Sequence, residues 1–392
     1  MKRSLPIFSL ALAWLLLAAT ACVPVSPRAP EPVAAEKSLS VILTAFGDAA
    51  GTYGETQPFL QALTGRVDRT ADSAFCKGLY EGQIAGQPVV IATTGTGSDN
   101  SGPCMQEILG MYGRQIKEVI WSGIGGVTPA VGGLVDVATG RRKAQVEPVM
   151  IGDVCVSSLA WNYDLHFSSV ADWKAAAADD RFATAGWYPM KDSTGQADVI
   201  GFENVQQSVI ADKTLADEIL AASRSVAWPE LDAVGQGVVA RFFPEGAVRP
   251  VRVFDYTQCG EVAGNNFWHG VVEDRLSRQY LAGLINASGY APQPRTEEDV
   301  VSFSAMEAVA WASVLQRWTA KSGEPIPLAI VRAGSNYDHL PLDAAGQPQT
   351  GADGKVPTAM ADILQGFADS GAAFAAHTAA LPILKMLELR GR

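Results

Sequence analysis

Positive charge is what this chain most lacks. Its 392 residues hold 30 Lys and Arg against 41 Asp and Glu, a formal net charge of −11. Without clustered cations a face for a phosphate backbone is excluded, so nucleic acid is not an expected partner. A neutral small molecule is compatible with that balance. Cysteine is scarce, at 5 residues, and its spacing matches no metal-ligand pattern, so no metal is expected. No internal repeat is present, and after the N-terminal segment no apolar run is expected to span a bilayer. What is there is a globular composition, 48% hydrophobic, enough for one large α/β domain or two.

The first residues read as a targeting segment. Lys2 and Arg3 form a basic start, Leu5 to Ala18 an apolar stretch, and the small residues Ala19, Thr20 and Ala21 precede Cys22. That order is a secretory signal over residues 1–21 ending at a lipobox-like site, with Cys22 as lipid acceptor and membrane anchor. The apolar stretch is short for a spanning helix, and Ala19 stands where leucine is commoner. An ordinary signal peptide with a chance cysteine, or a short membrane anchor, are the alternatives. Residues 22–38, rich in Pro and Ala, read as a tether. The folded domain is then expected over residues 39–392 of an exported lipoprotein facing the periplasm or the cell exterior. In an oxidising compartment the even set Cys76, Cys104, Cys155 and Cys259 is suggestive of pairing. Of the three pairings, Cys76–Cys104 with Cys155–Cys259 is favoured; four buried free thiols are the alternative.

Apolar runs that end in glycine turns and give way to helical patterns indicate the fold class. Ser40 to Phe46 reads as a buried strand ending at Gly47-Asp48, followed by a helix from about Thr56 to Leu63. Pro88 to Thr93 is a second strand, opening into Gly95-Thr96-Gly97-Ser98, and Pro103 to Met111 continues as a helix. Lys117 to Ile120 begins a third strand, which ends in Ser122-Gly123-Ile124-Gly125-Gly126. Asp153 to Ser158 is a further strand. Helices are expected over Phe202–Arg224, Glu273–Ile285 and Phe303–Trp318, and a strand over Pro327–Val331. A loop or flap over Leu340–Pro357 and one or two closing helices over Pro357–Leu389 complete the chain. Residues 171–200 and 225–258 read as insertions. Strand, glycine turn, helix and strand again is an α/β layer pattern.

Two late segments carry the most informative chemistry. Ser304-Ala305-Met306-Glu307-Ala308 sets a carboxylate inside an apolar run, and a buried Glu needs partners. The bland reading is a glutamate on a helix surface. Val331-Arg332-Ala333-Gly334-Ser335-Asn336-Tyr337-Asp338 sets polar groups after an apolar strand, where the bland reading is a polar turn. Gly47 would let the backbone approach a ligand, or simply turn. Gly264-Asn265-Asn266-Phe267-Trp268-His269-Gly270 and Trp161-Asn162-Tyr163-Asp164 offer aromatic faces, which cover bases and sugars or pack a core.

Taken in order over residues 40–340, these segments make the chain resemble the nucleoside phosphorylase/nucleosidase superfamily. The Gly-Ile-Gly-Gly-Val, Phe-Trp-His-Gly and Ser-Asn-Tyr-Asp runs look most like the purine nucleoside permease branch, named for nucleoside uptake. The resemblance implies a three-layer α/β/α fold around a central mixed twisted sheet, a homo-oligomer, and a purine nucleoside or nucleobase as partner. It implies that Glu307 binds the ribose hydroxyls, with Met306 packed beneath, so that a carboxylate steadies the positive sugar of the transition state. Phe267 would stack on the base, Trp268 would contact its edge through the backbone, and Tyr163 would cover the sugar. Gly47 would open an anion loop and Gly123 would sit in the floor of the site. Ser335 and Asn336 would face the base, Asn336 polarising N7 and O6 of a 6-oxopurine. An amide cannot supply a proton as an acid does; Asp338 or His339 could. The implied catalytic set is Asn336, Glu307 and Asp338.

Three departures qualify this. No arginine lies near Gly47-Asp48, Trp121 stands where phosphorylases often carry an arginine, and Ala305 stands where relatives carry a second acid. They favour water over phosphate as nucleophile, with phosphate as the only candidate co-substrate and no other cofactor implied. They also support an alternative, a non-catalytic nucleoside-binding lipoprotein serving uptake.

Overall fold

The computed structural model describes residues 37–47, 54–168, 187–189, 207–244, 246, 249–265, 270–349 and 371–392. The strands are β1 (Leu39–Thr44), β2 (Thr64–Asp68), β3 (Gly78–Ile84), β4 (Gln87–Thr93), β5 (Ile116–Val127), β6 (Val154–Ser157), β7 (Leu159–Asn162), β8 (His166–Ser168), β9 (Trp187–Pro189), β10 (Ser208–Ile210), β11 (Val253–Asp255), β12 (Cys259–Ala263), β13 (Val301–Ala305) and β14 (Leu328–Tyr337). The helices are α1 (Gln57–Ala62), α2 (Ser98–Tyr112), α3 (Thr214–Ser223), α4 (Ala233–Phe242), α5 (Val271–Ser288), α6 (Ala308–Ser322) and α7 (Gly371–Arg390).

A mixed 12-stranded sheet runs β10-β7-β12-β13-β5-β1-β4-β3-β2, with β14 paired to β5 and β6, and β11 to β6. β1 lies parallel between β4 and β5, and β14 is parallel to β5. β13 and β3 run against β5 and β4. Successive strand residues point to opposite faces, so an unbroken apolar run buries both. Val41 and Leu43 of β1 pack with Met105 and Ile108 of α2 and Trp311 and Leu315 of α6. Ile42, between them, packs with Phe59 of α1, Ile219 of α3 and Ala379 and Ile383 of α7. Helices thus cover both faces, and the α/β layer fold expected from the sequence is the one observed.

Cys76 is bonded to Cys104 and Cys155 to Cys259, the favoured pairing. The second bridge fastens β6 to β12.

Several elements differ from expectation. Ser122 to Gly126 is not a turn but the buried end of β5, because the glycines let a neighbouring strand close in: a Cβ on Gly125 would stand 2.4 Å from Ser304 O. Ser335 to Tyr337 likewise continue β14, with a register shift between Gly334 and Asn336. Phe303 to Ala305 are strand rather than helix. The two-residue alternation of Val301-Ser302-Phe303 prevails there, and Glu307 takes the N-cap position of α6. Residues 207–224 form β10 and α3 instead of one helix, and the stretch read as an insertion at 225–258 carries α4 and β11. α7 is long and apolar enough to cross a membrane, contrary to expectation, although 56% of it is buried. Its Ala375, Ala379 and Ile383 belong to the core beneath the sheet. Cys22, the tether as far as residue 36, and most of 171–200 lie outside the described residues.

Candidate functional site

Arg332 stands in the middle of β14, in register with Gly123 of β5, and is 1% exposed. A charge so buried is tolerable only when paired. Its Nε donates to Glu261 Oε2 at 2.6 Å, its Nη2 to Glu307 Oε2 at 2.7 Å and its Nη1 to Ile124 O at 3.0 Å. A third carboxylate, Glu55, has Oε1 3.9 Å from Nη1. Gly123 is required here because a Cβ would lie 2.3 Å from Arg332 Nη1 and 2.7 Å from Glu55 Oε1. The guanidinium also lies over the Trp121 ring, 5.1 Å from its centroid. The position without a cation in the sequence is therefore the platform for one supplied by the next strand.

The three carboxylates are held differently. Glu55 accepts from Ala45 N at 2.6 Å and Ile124 N at 2.7 Å. Burial raises its pKa to about 7, Arg332 opposing and Glu307 reinforcing the shift. Glu261 accepts from Ala308 N, the first amide of α6, at 3.0 Å, where the positive end of the helix favours an anion. Burial still pushes its carboxyl upward against the pull of Arg332. Glu307 accepts from Gly97 N at 3.0 Å and Met306 N at 3.2 Å, besides Arg332. A carboxylate offers about four acceptor directions, so one remains for a ligand.

Glu55, Glu307 and Arg332 line a cavity that also takes in Met306, Ser304, Ser335 and Asn336. Ser335 Oγ lies 2.9 Å from Asn336 Oδ1 and 3.1 Å from Gly125 O. Of the residues singled out in the sequence, Glu307, Met306, Ser335 and Asn336 are thus brought together. Gly123 sits beneath the ion cluster, and it is Gly125 and Gly126 that face the cavity. Asp338 is fully buried behind the wall, its Oδ1 accepting from Ser304 Oγ at 2.6 Å. Tyr163 belongs instead to an apolar cluster with Leu159, Trp161 and Leu281, so it packs rather than covers a sugar. Gly47 has Thr93 and Thr56 as neighbours and is not in the cavity wall. Phe267, Trp268 and His269 lie outside the described residues; Gly264, just before them, lines the cavity.

Sequence reading passed over Arg332, Glu261 and Glu55. The first two carry a signal, each being a lone charge in an apolar strand. Glu55 carries none, since its partners come from the end of β1, from β5 and from β14.

Fold and site define an α/β/α protein with a cavity floored by a buried carboxylate–guanidinium cluster. No protein-family model and no curated protein matches the chain. Among solved structures, 391 chains match. The 5'-methylthioadenosine/S-adenosylhomocysteine nucleosidase of Neisseria meningitidis, in complex with methylthio-immucillin-A, is 16% identical with a TM-score of 0.47, covering 90% of this chain and 99% of its own. The corresponding nucleosidase of Colwellia psychrerythraea, in complex with adenine, is 14% identical with a TM-score of 0.46, covering 91% and 96%. An S-adenosylhomocysteine nucleosidase of Streptococcus pyogenes is 14% identical with a TM-score of 0.47, covering 90% and 97%.

Proposed function

We propose that this chain hydrolyses the N-glycosidic bond of a purine nucleoside. One observation carries the reading: two buried carboxylates, Glu55 and Glu307, reach the same cavity and share one guanidinium. Glu307 is paired with Arg332 and has an acceptor direction left for a ribose hydroxyl. Its charge favours the positive sugar that forms as the bond to the base breaks. Glu55, with a pKa near 7, is poised to take a proton from an attacking water. Asn336 offers both a donor and an acceptor to the N7 and O6 edge of a 6-oxopurine.

Water is favoured over phosphate as the nucleophile. Arg332 is the cation of the wall, and its Nε, Nη1 and Nη2 are each engaged. Three carboxylates around one guanidinium give a field that repels a dianion. We place the protein, as a homo-oligomer, in the cell envelope, anchored through lipid on Cys22. The two disulfides support an oxidising compartment. A second reading, a nucleoside-binding lipoprotein for uptake, is favoured by Asn336 standing where an acid would protonate the base.

Incubating the pure protein with inosine, with and without phosphate, and following free hypoxanthine separates these. Release without phosphate is the expected result. Tight binding with no base released would reject hydrolysis in favour of delivery.

A further inference from the structure

A departing purine needs a proton, and the amide of Asn336 has none to give as an acid. We propose that the proton comes from Asp338 by way of the Ser304 hydroxyl, an inference that rests on the nucleosidase reading. Three polar groups converge on one spot in the cavity wall. A Cβ on Gly126 would stand 2.2 Å from Asp338 Oδ1, 2.4 Å from Ser304 Oγ and 3.3 Å from Asn336 Nδ2. Glycine at 126 therefore opens the contact between acid, hydroxyl and amide, and Gly126, Ser304 and Asn336 all line the cavity. Ser304 Oγ and Asp338 Oδ1 are 2.6 Å apart. Asp338 is pinned from both sides, its N–H donating to Val127 O at 3.1 Å and its carbonyl accepting from Gly270 N at 2.8 Å.

The surroundings keep this carboxyl neutral. Asp338 is 2% exposed, and its Oδ2 finds no hydrogen-bond partner among the described residues. An ionised Asp338 would leave a bare anionic oxygen in the interior, which is costly. Burial raises its pKa well above the usual range, the Ser304 bond opposes, and the negative charge of Asp274 on α5 adds to the rise. Asp274 is itself tied to Arg278 at 3.3 Å. His339, next in the chain, is buried and held below its usual pKa by that burial, so it brings no cation.

The step balances. With its proton on Oδ1, Asp338 donates across the 2.6 Å contact and the Ser304 hydroxyl turns from the carboxyl to the base. The carboxyl proton then passes to Ser304 Oγ as the hydroxyl proton of Ser304 passes to the base nitrogen and the C–N bond breaks. Water adds to the sugar carbon and its proton goes to Glu55. Solvent returns that proton to Asp338 between turnovers. Ser304 is the group that meets the base, and Asp338 acts through it.

The test compares two ribosides. Inosine needs its base protonated, whereas p-nitrophenyl riboside releases a stable anion without help. Asp338→Asn is expected to lower kcat for inosine by about 10²- to 10⁴-fold with KM little changed, and to leave p-nitrophenyl riboside cleavage within a few-fold. Ser304→Ala, which leaves Asp338 in place, is expected to repeat that split should Asp338→Asn fail to fold. Both remove the alkaline limb of kcat against pH for inosine. Equal loss on both substrates, or no loss on inosine, overturns the relay while leaving hydrolysis intact. Wild-type protein that cleaves neither riboside overturns hydrolysis and the relay together.

Discussion

Arg332 Nη2 lies 2.7 Å from Glu307 Oε2, and both side chains are shielded from water, at 1% and 3% exposure. The pair is the electrostatic hinge of the site, because the same guanidinium also faces Glu261 and Glu55. Replacing Arg332 by Met would leave three buried carboxylates without a counter-ion. The expected cost is about 3–5 kcal/mol of folding stability, read from urea unfolding midpoints. An unchanged midpoint would show that the cluster is not an ion cluster in solution.

Glu307→Gln keeps the shape but removes the charge that binds ribose and opposes the sugar cation. A hydrogen bond to a charged group is worth about 1.5–3 kcal/mol, so kcat/KM for inosine should fall by about one to two orders of magnitude. The discrimination between inosine and 2'-deoxyinosine should shrink in the same variant, measured by hypoxanthine release.

Glu55 predicts an acid limb. Its pKa is raised from 4.5 to about 7 by burial, and a base works only when deprotonated, so kcat/KM should fall as pH drops below about 7. Glu55→Gln should abolish most activity at every pH. Stability carries the opposite sign. Because the folded state holds this proton more tightly than the unfolded chain, the group's contribution is full below pH 4.5 and lost as pH rises through 7. Melting temperatures at pH 5 and pH 8 should differ less in Glu55→Gln than in the wild type.

Two glycine substitutions should behave oppositely. Gly126→Ala would thrust a methyl group into Asp338 and Ser304, and overpacking of this kind costs about 1–3 kcal/mol, along with activity on inosine. Gly110 lies in α2 with nothing within 4 Å of an added Cβ. Gly110→Ala should stabilise by about 0.5–1 kcal/mol, with activity untouched. Thermal melts of the two variants decide.

The bridge between Cys155 and Cys259 spans 104 residues and joins β6, where Cys155 is in register with Arg332, to β12, the strand of its partner Glu261. Replacing both cysteines by Ala should lower stability by about 2–5 kcal/mol, measured by denaturant unfolding of the purified variant.

Much of the fold is readable from local pattern. β1, β4, β6, α1 and α5 lie where apolar runs and helical periods place them, because a strand buried on both faces or a one-sided helix leaves a local trace. Short or exposed strands leave little. β2 is exposed throughout, and β11 gains its status only by pairing with β6. The junction at Glu307 was misread because a strand feeding directly into a helix shows no turn residue between them. The site divides in the same way. Glu307, Met306, Ser335 and Asn336 belong to dense motifs, and Arg332 shares the strand of the last two, whereas Glu55 and Glu261 come from distant segments whose meeting with it is a matter of sheet order.

By itself the sequence determined the layer architecture, the net negative charge and the two late segments that supply the cavity's carboxylate and amide. Periodicity and composition act over short stretches, so one chain segment suffices to express them. Only the tertiary structure decided that Arg332 would neutralise Glu307, that Gly123 and Gly126 would make room for charged groups, and that Asp338 would sit behind Ser304. Those are contacts between residues far apart in the chain. Their energies depend on burial and on distances of a few ångströms, which exist only once the sheet has closed.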